Sequence, residues 1–134
     1  MFFVRFSADL DAPRAAVREL LRDDAHDYVW SDHSLPRRWT DAVKWLNGSE
    51  GWHVDVTVDA PGVFEVRRGC ARAVGTETFE MGGSGSCSTL NYVLSVRILG
   101  CTFIGAAAAR WKLRAYARAY RSLLIRRCSS VAVV

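Results

Sequence analysis

The spacing of apolar residues predicts a chain built mainly of β-strands. Residues 2–10 read FFVRFSADL, in which apolar side chains occupy every second position from Phe2 to Ala8. A period of two residues is typical of a strand with one buried face. Residues 52–59 repeat this period, with Trp52, Val54 and Val58 among the positions predicted to point inward. Residues 63–68, 72–81 and 87–99 predict three more strands.

Two segments instead have the 3.6-residue period of a helix. Residues 11–23 read DAPRAAVRELLRD, where Asp11 is suited to cap a helix and Pro13 to its first turn. Residues 104–127 contain no proline and are rich in alanine, leucine and arginine, which favour helix. One apolar stripe along this second helix consists of Leu113, Tyr116, Tyr120, Leu123 and Leu124. The last six residues, SSVAVV, are expected to form a tail beyond it.

The order of these elements predicts an α+β fold. A strand is followed by one or two short helices, then by five or more antiparallel strands and one long terminal helix. An antiparallel sheet must cover its apolar face, and the terminal helix is the element long enough to do so. A curved sheet around that helix would leave a hollow between the two.

The junction between the first strand and the first helix resembles a known superfamily. Its pattern APxxxVxxxLxD is matched by Ala12, Pro13, Val17, Leu21 and Asp23. The later stretch LPRRWTDAVKWLNGSEG is also similar to that superfamily's passage through a tryptophan into its second strand. The chain therefore resembles the START/Bet v 1-like superfamily, also called SRPBCC or polyketide cyclase-like. The resemblance implies a single domain over residues 1–134 with a helix-grip architecture, in which a curved antiparallel sheet wraps around the C-terminal helix.

The resemblance also implies a cavity for a small hydrophobic or aromatic ligand between sheet and helix. Such a protein would act as a carrier, a sensor or a polyketide cyclase/aromatase-like enzyme. The aromatic side chains that would line this cavity are Trp45, Trp52, Phe64, Tyr92, Tyr116 and Tyr120. The alternative for each is that it fills the core, as apolar stripes usually do. Tyr92 is the best candidate for a polar group in the cavity, ahead of Asp55 and Arg67, and no catalytic residue is assigned.

The distribution of charge supports a second hypothesis. The formal net charge is +4, yet residues 104–134 contain seven basic and no acidic side chains. Four of them recur at helical intervals and form a basic surface: Arg110, Arg114, Arg118 and Arg121. The protein could use this helix to bind nucleic acid, an acidic protein or anionic lipid. The rest of the chain carries 11 basic and 14 acidic side chains, so the helix could also bind this acidic part of a second copy in a homodimer. The plainer interpretation is a solvated outer face.

Other features of the sequence bear on metal binding, cofactors and cellular location. The cysteines at 70, 87, 101 and 128 are widely spaced, so we expect reduced thiols rather than a zinc site. His26, Asp27, Asp32 and His33 lack a metal-ligand spacing, and neither a metal nor a cofactor is expected. The N-terminal segment lacks the features of a signal peptide, and no apolar run is long enough to span a bilayer, so a cytoplasmic location is expected.

Overall fold

The structure of the protein is a computed structural model that describes residues 1–26, 53–70, 73–83, 85–98 and 103–133. Five strands and two helices lie in this part of the chain. In chain order they are β1 (Phe2–Leu10), α1 (Arg14–His26), β2 (His53–Ala60), β3 (Val63–Cys70), β4 (Ala73–Gly82), β5 (Ser88–Ile98) and α2 (Phe103–Val133). The predicted lining residues Trp45 and Trp52 lie outside the described residues, as do Asp27, Asp32 and His33.

The five strands form one antiparallel sheet in the order β1-β5-β4-β3-β2. The first strand pairs with the last, and Phe2 lies opposite Val96 at one end of that pair. Alternate residues of β5 from Leu90 to Val96 are fully buried, as the sequence pattern predicts. These side chains and the inner positions of β1 and β4 form the core beneath α2. The predicted α+β helix-grip architecture is confirmed.

The inner face of β2 departs from strict alternation. Val56 pairs with Val66, but Val58 pairs with Glu65, so the register shifts by one residue between the two valines. Such a bulge reverses the direction in which the following side chains point. Val58 is consequently 37 % exposed, and its predicted place on the inner face is wrong.

The same bulge turns Asp59 toward α1. Asp59 pairs with Phe64, a buried residue, and its carboxylate accepts hydrogen bonds from two arginines of α1. Arg18 Nε donates to Oδ1 and Arg22 Nε donates to Oδ2, each at 2.6 Å. These two ion pairs attach α1 to the end of β2.

α1 begins directly after proline. The carbonyl of Pro13 accepts hydrogen bonds from the backbone nitrogens of Ala16 and Val17, at 3.0 and 3.1 Å. The missing N–H of proline costs nothing at this position, because the first donors of a helix have no partner within it. The predicted capping role of Asp11 is not what the structure has: its carboxylate lies 3.7 Å from the Cys87 thiol.

Two glycines with positive φ shape the connection between β4 and β5. Gly83 has φ +94°, and a Cβ there would lie 3.0 Å from the carbonyl oxygen of Cys87. Gly85 has φ +74° with open space around it. Gly83 therefore needs both the left-handed backbone and the missing side chain, whereas Gly85 needs only the backbone conformation.

α2 is longer than the sequence pattern indicates. It ends at Val133, so most of the predicted SSVAVV tail belongs to the helix. Cys128 is fully buried and extends the predicted apolar stripe by one more turn, which holds this part of the helix against the core. Arg121 Nε donates a 2.9 Å hydrogen bond to the carbonyl of Ser7, linking α2 to β1. Neither described helix has an apolar stretch long enough to cross a membrane.

Candidate functional site

Four of the six predicted lining residues come together in the core. Phe64 lies on β3, Tyr92 on β5, and Tyr116 and Tyr120 on α2, and each is at most 3 % exposed. The sheet contributes two of these rings and the helix the other two. The predicted meeting of aromatic side chains between sheet and helix is therefore what the described residues show, although whether they bind a ligand stays a prediction.

The rings contact one another closely. The ring centroid of Phe79 lies 5.1 Å from that of Tyr92 and 6.0 Å from that of Tyr120, in edge-to-face geometry. Tyr116 and Tyr120 are 5.8 Å apart, and Phe6 stacks on Tyr92 at 4.4 Å. Pairs of this kind contribute about 0.5–1.5 kcal/mol beyond the area they bury. These contacts join five rings into one continuous aromatic cluster, which consists of Phe6, Phe79, Tyr92, Tyr116 and Tyr120.

One carboxyl group lies inside this apolar core. Glu77 is on β4, opposite Val66 on one side and Leu94 on the other, and its exposed fraction is 0 %. Burying an acidic group without compensation is costly, so its hydrogen-bond partners decide whether the arrangement is stable.

Two tyrosine hydroxyls supply hydrogen bonds to Glu77. The Tyr92 hydroxyl donates to Oε2 at 2.5 Å, and the Tyr116 hydroxyl donates to the same oxygen at 3.2 Å. Oxygen-to-oxygen hydrogen bonds are usually 2.5–3.0 Å long, so the bond from Tyr116 is the weaker of the two. The short bond joins neighbouring strands, while the long one joins the sheet to α2.

The environment also affects the ionisation of Tyr92. Burial in the core raises the pKa of Tyr92 well above its ordinary value of 10.0, and the nearby Glu77 raises it further. A phenol in this position stays protonated at neutral pH and keeps its donor. Tyr92 therefore remains a hydrogen-bond donor to Glu77 inside the apolar core.

Glu77 is absent from the candidates that the sequence suggested. Residues 72–81 are predicted as a strand with mixed faces, because polar and apolar residues alternate imperfectly there. The sequence nevertheless contains a signal. Glu77, Phe79 and Met81 are alternate residues and so lie on the same face of the strand, and Phe79 and Met81 are both buried. An acidic residue in step with an apolar face indicates a buried carboxyl group.

The other predicted polar candidates lie on the outside. Asp55 and Arg67 are both exposed and face each other across β2 and β3. Opposite charges in that position stabilise strand pairing. They do not reach the Glu77–Tyr92–Tyr116 cluster, so Tyr92 alone among the three is a buried polar group.

The four arginines of the basic surface are exposed along α2, as predicted. Two of them also have contacts with β1. Arg121 donates to Ser7, and the Arg110 guanidinium lies 5.4 Å from the centroid of the Phe2 ring. The helix is therefore basic on its outer side and aromatic on its inner side.

Three grooves run over other parts of the described surface. A groove of about 500 Å³ lies where β1 meets the β4–β5 connection and the end of α2, with Leu10, Cys87 and Ile125 among its walls. A second, also about 500 Å³, lies between α1 and that connection, beside Pro13 and Arg14. A third, of about 440 Å³, separates β1 from α2. The Glu77–Tyr92–Tyr116 cluster lies in the walls of none of these three.

Solved structures with similar architecture place this arrangement among known folds. A START superfamily protein from Mycobacterium smegmatis is 11 % identical, with 91 % of this chain and 96 % of that chain aligned and a TM-score of 0.50. The chain has the START-like helix-grip fold. The protein XoxI from Bacillus cereus shares it at 9 % identity, 98 % coverage of both chains and a TM-score of 0.59. A conserved protein from Geobacillus kaustophilus does so at 10 % identity, with 93 % and 96 % covered and a TM-score of 0.51.

The likeness is one of START-like fold and not of sequence. No protein-family model matches the chain, and no curated protein matches it either. The resemblance suggested by residues 12–23 is thus confirmed at the level of the fold. The function has to be argued from this chain's own side chains, because proteins of one fold carry many activities.

Proposed function

We propose that the protein binds a small hydrophobic or aromatic molecule between the inner face of its sheet and α2. The observation that carries the proposal is the buried carboxyl group of Glu77, held by two tyrosine hydroxyls in an aromatic core. Ligand sites of this class are mostly apolar with a few placed polar groups, and this cluster has that composition. A buried titratable group among such rings is a candidate binding group.

The two hydrogen bonds suggest how a ligand would enter. Displacing α2 from the sheet breaks the 3.2 Å bond of Tyr116, while the 2.5 Å bond of Tyr92 stays within the sheet. Of the two hydrogen bonds to Glu77, the longer one from Tyr116 is therefore the one that a ligand donor would replace at the smaller loss of hydrogen bonding. A ligand hydroxyl or amine would then take the place of the Tyr116 hydroxyl on Glu77. The preferred ligand is accordingly a flat or apolar molecule with one hydrogen-bond donor.

The rest of the predicted lining belongs to the same proposal. Trp45 and Trp52 remain predicted wall residues, together with the described aromatic rings. We propose binding as carrier or sensor, without assigning a catalytic residue. A single domain over residues 1–134, a cytoplasmic location and a homodimer likewise stay predictions.

The test is a thermal-shift panel of matched ligand pairs. Fatty alcohols, sterols, flavonoids and aromatic polyketides are each compared with an analogue whose donor hydroxyl is methylated. A ligand that binds only the folded protein raises the melting temperature in a saturable way. We expect a hydroxylated aromatic compound to do so and its methyl ether to do so less.

Two variants connect the result to the site. Glu77→Gln should lower the affinity for the hydroxylated ligand while leaving the affinity for the methyl ether nearly unchanged. Glu80→Gln, an exposed acidic position on the same strand, is the matched control and should behave as the parent protein. A panel without any saturable stabilisation contradicts the proposal, as does equal loss in both variants.

A further inference from the structure

The groove between β1 and α2 combines charge and aromatic surface in a way that the ligand site does not use. Its volume is about 440 Å³, and side chains from both elements form its walls. The residues on which the inference rests are Phe3, Arg5, Trp111, Arg114 and Arg118. We propose that this groove binds single-stranded nucleic acid.

The charge of the groove is of one sign. Arg5, Arg114 and Arg118 line it, and no carboxylate is among its wall residues. Within the described part of the chain, neither Arg114 nor Arg118 forms an ion pair with a carboxylate. The excess is also regional, because residues 104–134 carry seven basic side chains and the remainder of the chain carries 11 basic and 14 acidic ones. A polyanion is the complementary partner.

The aromatic side chains of the groove are unusually exposed. Trp111 is 65 % exposed and Phe3 is 51 % exposed, although large apolar side chains are normally buried. The Arg5 guanidinium lies over the Phe3 ring, 5.6 Å from its centroid, so a cation is placed against an exposed aromatic side chain. Flat rings beside arginines match a partner that carries both negative charge and flat rings.

The spacing of the arginines fits a repeating anion. Arg114 and Arg118 are four residues apart on α2, so their Cα atoms are about 6 Å apart along the helix axis. They form a row on one side of the groove, with Trp111 one turn earlier. Proteins that bind single strands combine such a basic track with aromatic rings on which bases stack.

The concave shape favours a nucleic acid strand over a bilayer. A membrane-binding surface projects its apolar side chains beyond its charges, whereas Phe3 and Trp111 lie in the walls of a groove alongside the arginines. A strand of nucleotides can enter this space with its phosphates on the arginines and a base on Trp111.

The experiment measures the fluorescence anisotropy of a labelled oligothymidylate over a series of salt concentrations. Three arginine–phosphate contacts predict a slope of about −2 for log affinity against log salt, since each contributes about −0.7 on a single strand. The double variant Arg114→Ala/Arg118→Ala should lose roughly 1.4 of that slope and most of the affinity. Arg14→Ala/Arg67→Ala removes the same charge from exposed positions outside the groove and should change the affinity little.

A second variant separates stacking from charge. Trp111→Ala should weaken binding of the oligothymidylate roughly tenfold without changing the salt slope, while Trp111→Phe should retain part of the affinity. Binding of polyphosphate, which has no bases, should not respond to either variant. Circular dichroism melts of all variants confirm that the comparison is between folded proteins.

Several outcomes would overturn the inference. The first is an equal loss of affinity in the groove variant and in the charge-matched control. The second is competition by polyphosphate or polyglutamate as strong as that of the oligothymidylate, with Trp111→Ala neutral. The third is tight binding to anionic vesicles by a protein that does not bind the oligothymidylate, which would assign the groove to a lipid surface.

Discussion

The hydrogen bond between Tyr92 and Glu77 makes a quantitative test of the core possible. The substitution Tyr92→Phe removes one hydroxyl group and keeps the ring that contacts Phe6 and Phe79. What is lost is the 2.5 Å bond to Oε2 of Glu77. The aromatic contacts stay, so the change in stability reports on the hydrogen bond and its geometry.

The expected magnitude follows from the class of hydrogen bond. A buried hydrogen bond contributes about 0.5–1.5 kcal/mol between neutral partners and about 1.5–3 kcal/mol when one partner is charged. We therefore expect Tyr92→Phe to lower the free energy of unfolding by about 1–3 kcal/mol. Tyr116→Phe should cost less, because its bond to the same oxygen is 3.2 Å long. For a chain of 134 residues, each kcal/mol corresponds to roughly 3–5 °C in melting temperature.

The assay is urea unfolding of four proteins in a double-mutant cycle. They are the parent, Tyr92→Phe, Glu77→Leu and the double variant. If the Tyr92 hydroxyl acts through Glu77, its removal should cost little once Glu77 is leucine, and the coupling energy should be about 1–3 kcal/mol. A coupling energy near zero would refute the reasoning. Tyr116→Phe is measured alongside the cycle, and a larger loss for it than for Tyr92→Phe would also refute the reasoning.

Three further predictions concern titration and access. The two arginines of α1 lower the pKa of Asp59 below its ordinary value of 3.8, so the stability this group contributes is present above that pH and is lost as pH falls through the lowered pKa. Acid titration of stability should therefore show the parent converging on Asp59→Asn at low pH, and a constant gap would contradict it. The raised pKa of Tyr92 implies the opposite sign: stability falls as pH rises above 10.0, because the unfolded chain loses its proton first. Urea unfolding across the alkaline range should show a smaller fall in Tyr92→Phe, and equal falls would count against this. Finally, a thiol reagent should modify exposed Cys87 in the native protein and buried Cys128, whose pKa is raised by burial, only after unfolding, as read by peptide mass. Rapid native labelling of Cys128 would disprove the packing of the end of α2.

The sequence predicts the fold well where one periodicity is sustained. In β1 and β5, more buried and more exposed side chains alternate over nine or more residues, and each strand has one inner face. The sequence pattern therefore identifies directly which side chains point inward. The junction at Pro13 adds a helix start that suits the observed α1. The predicted end of α2 is too early because a polar SS pair interrupts its pattern, whereas Cys128 is held by the core.

The residues of the candidate site are harder to predict from the sequence, because their positions depend on contacts between different elements. Val58 is misplaced because a bulge depends on the pairing of two strands, and a single strand's pattern does not contain that information. Glu77 is missed because an isolated acidic residue breaks the apolar alternation, and the pattern of β4 alone does not show that the hydroxyls of Tyr92 and Tyr116 donate hydrogen bonds to it. Tyr92 is found, since it belongs to the long regular pattern of β5.

The pairing of β1 with β5 has a consequence for how the chain folds during synthesis. Phe2 lies opposite Val96, and Arg121 of α2 donates a hydrogen bond to Ser7, so the partners of β1 are synthesised long after β1 itself. Contacts between such distant residues are slow to form because a long loop must close before any of them stabilises the fold. Until β5 emerges from the ribosome, the segment FFVRF has an apolar face without its partner strand. We therefore expect that this fold cannot be completed before β5 and α2 have left the ribosome, and that the apolar face of β1 is open to chaperones until then.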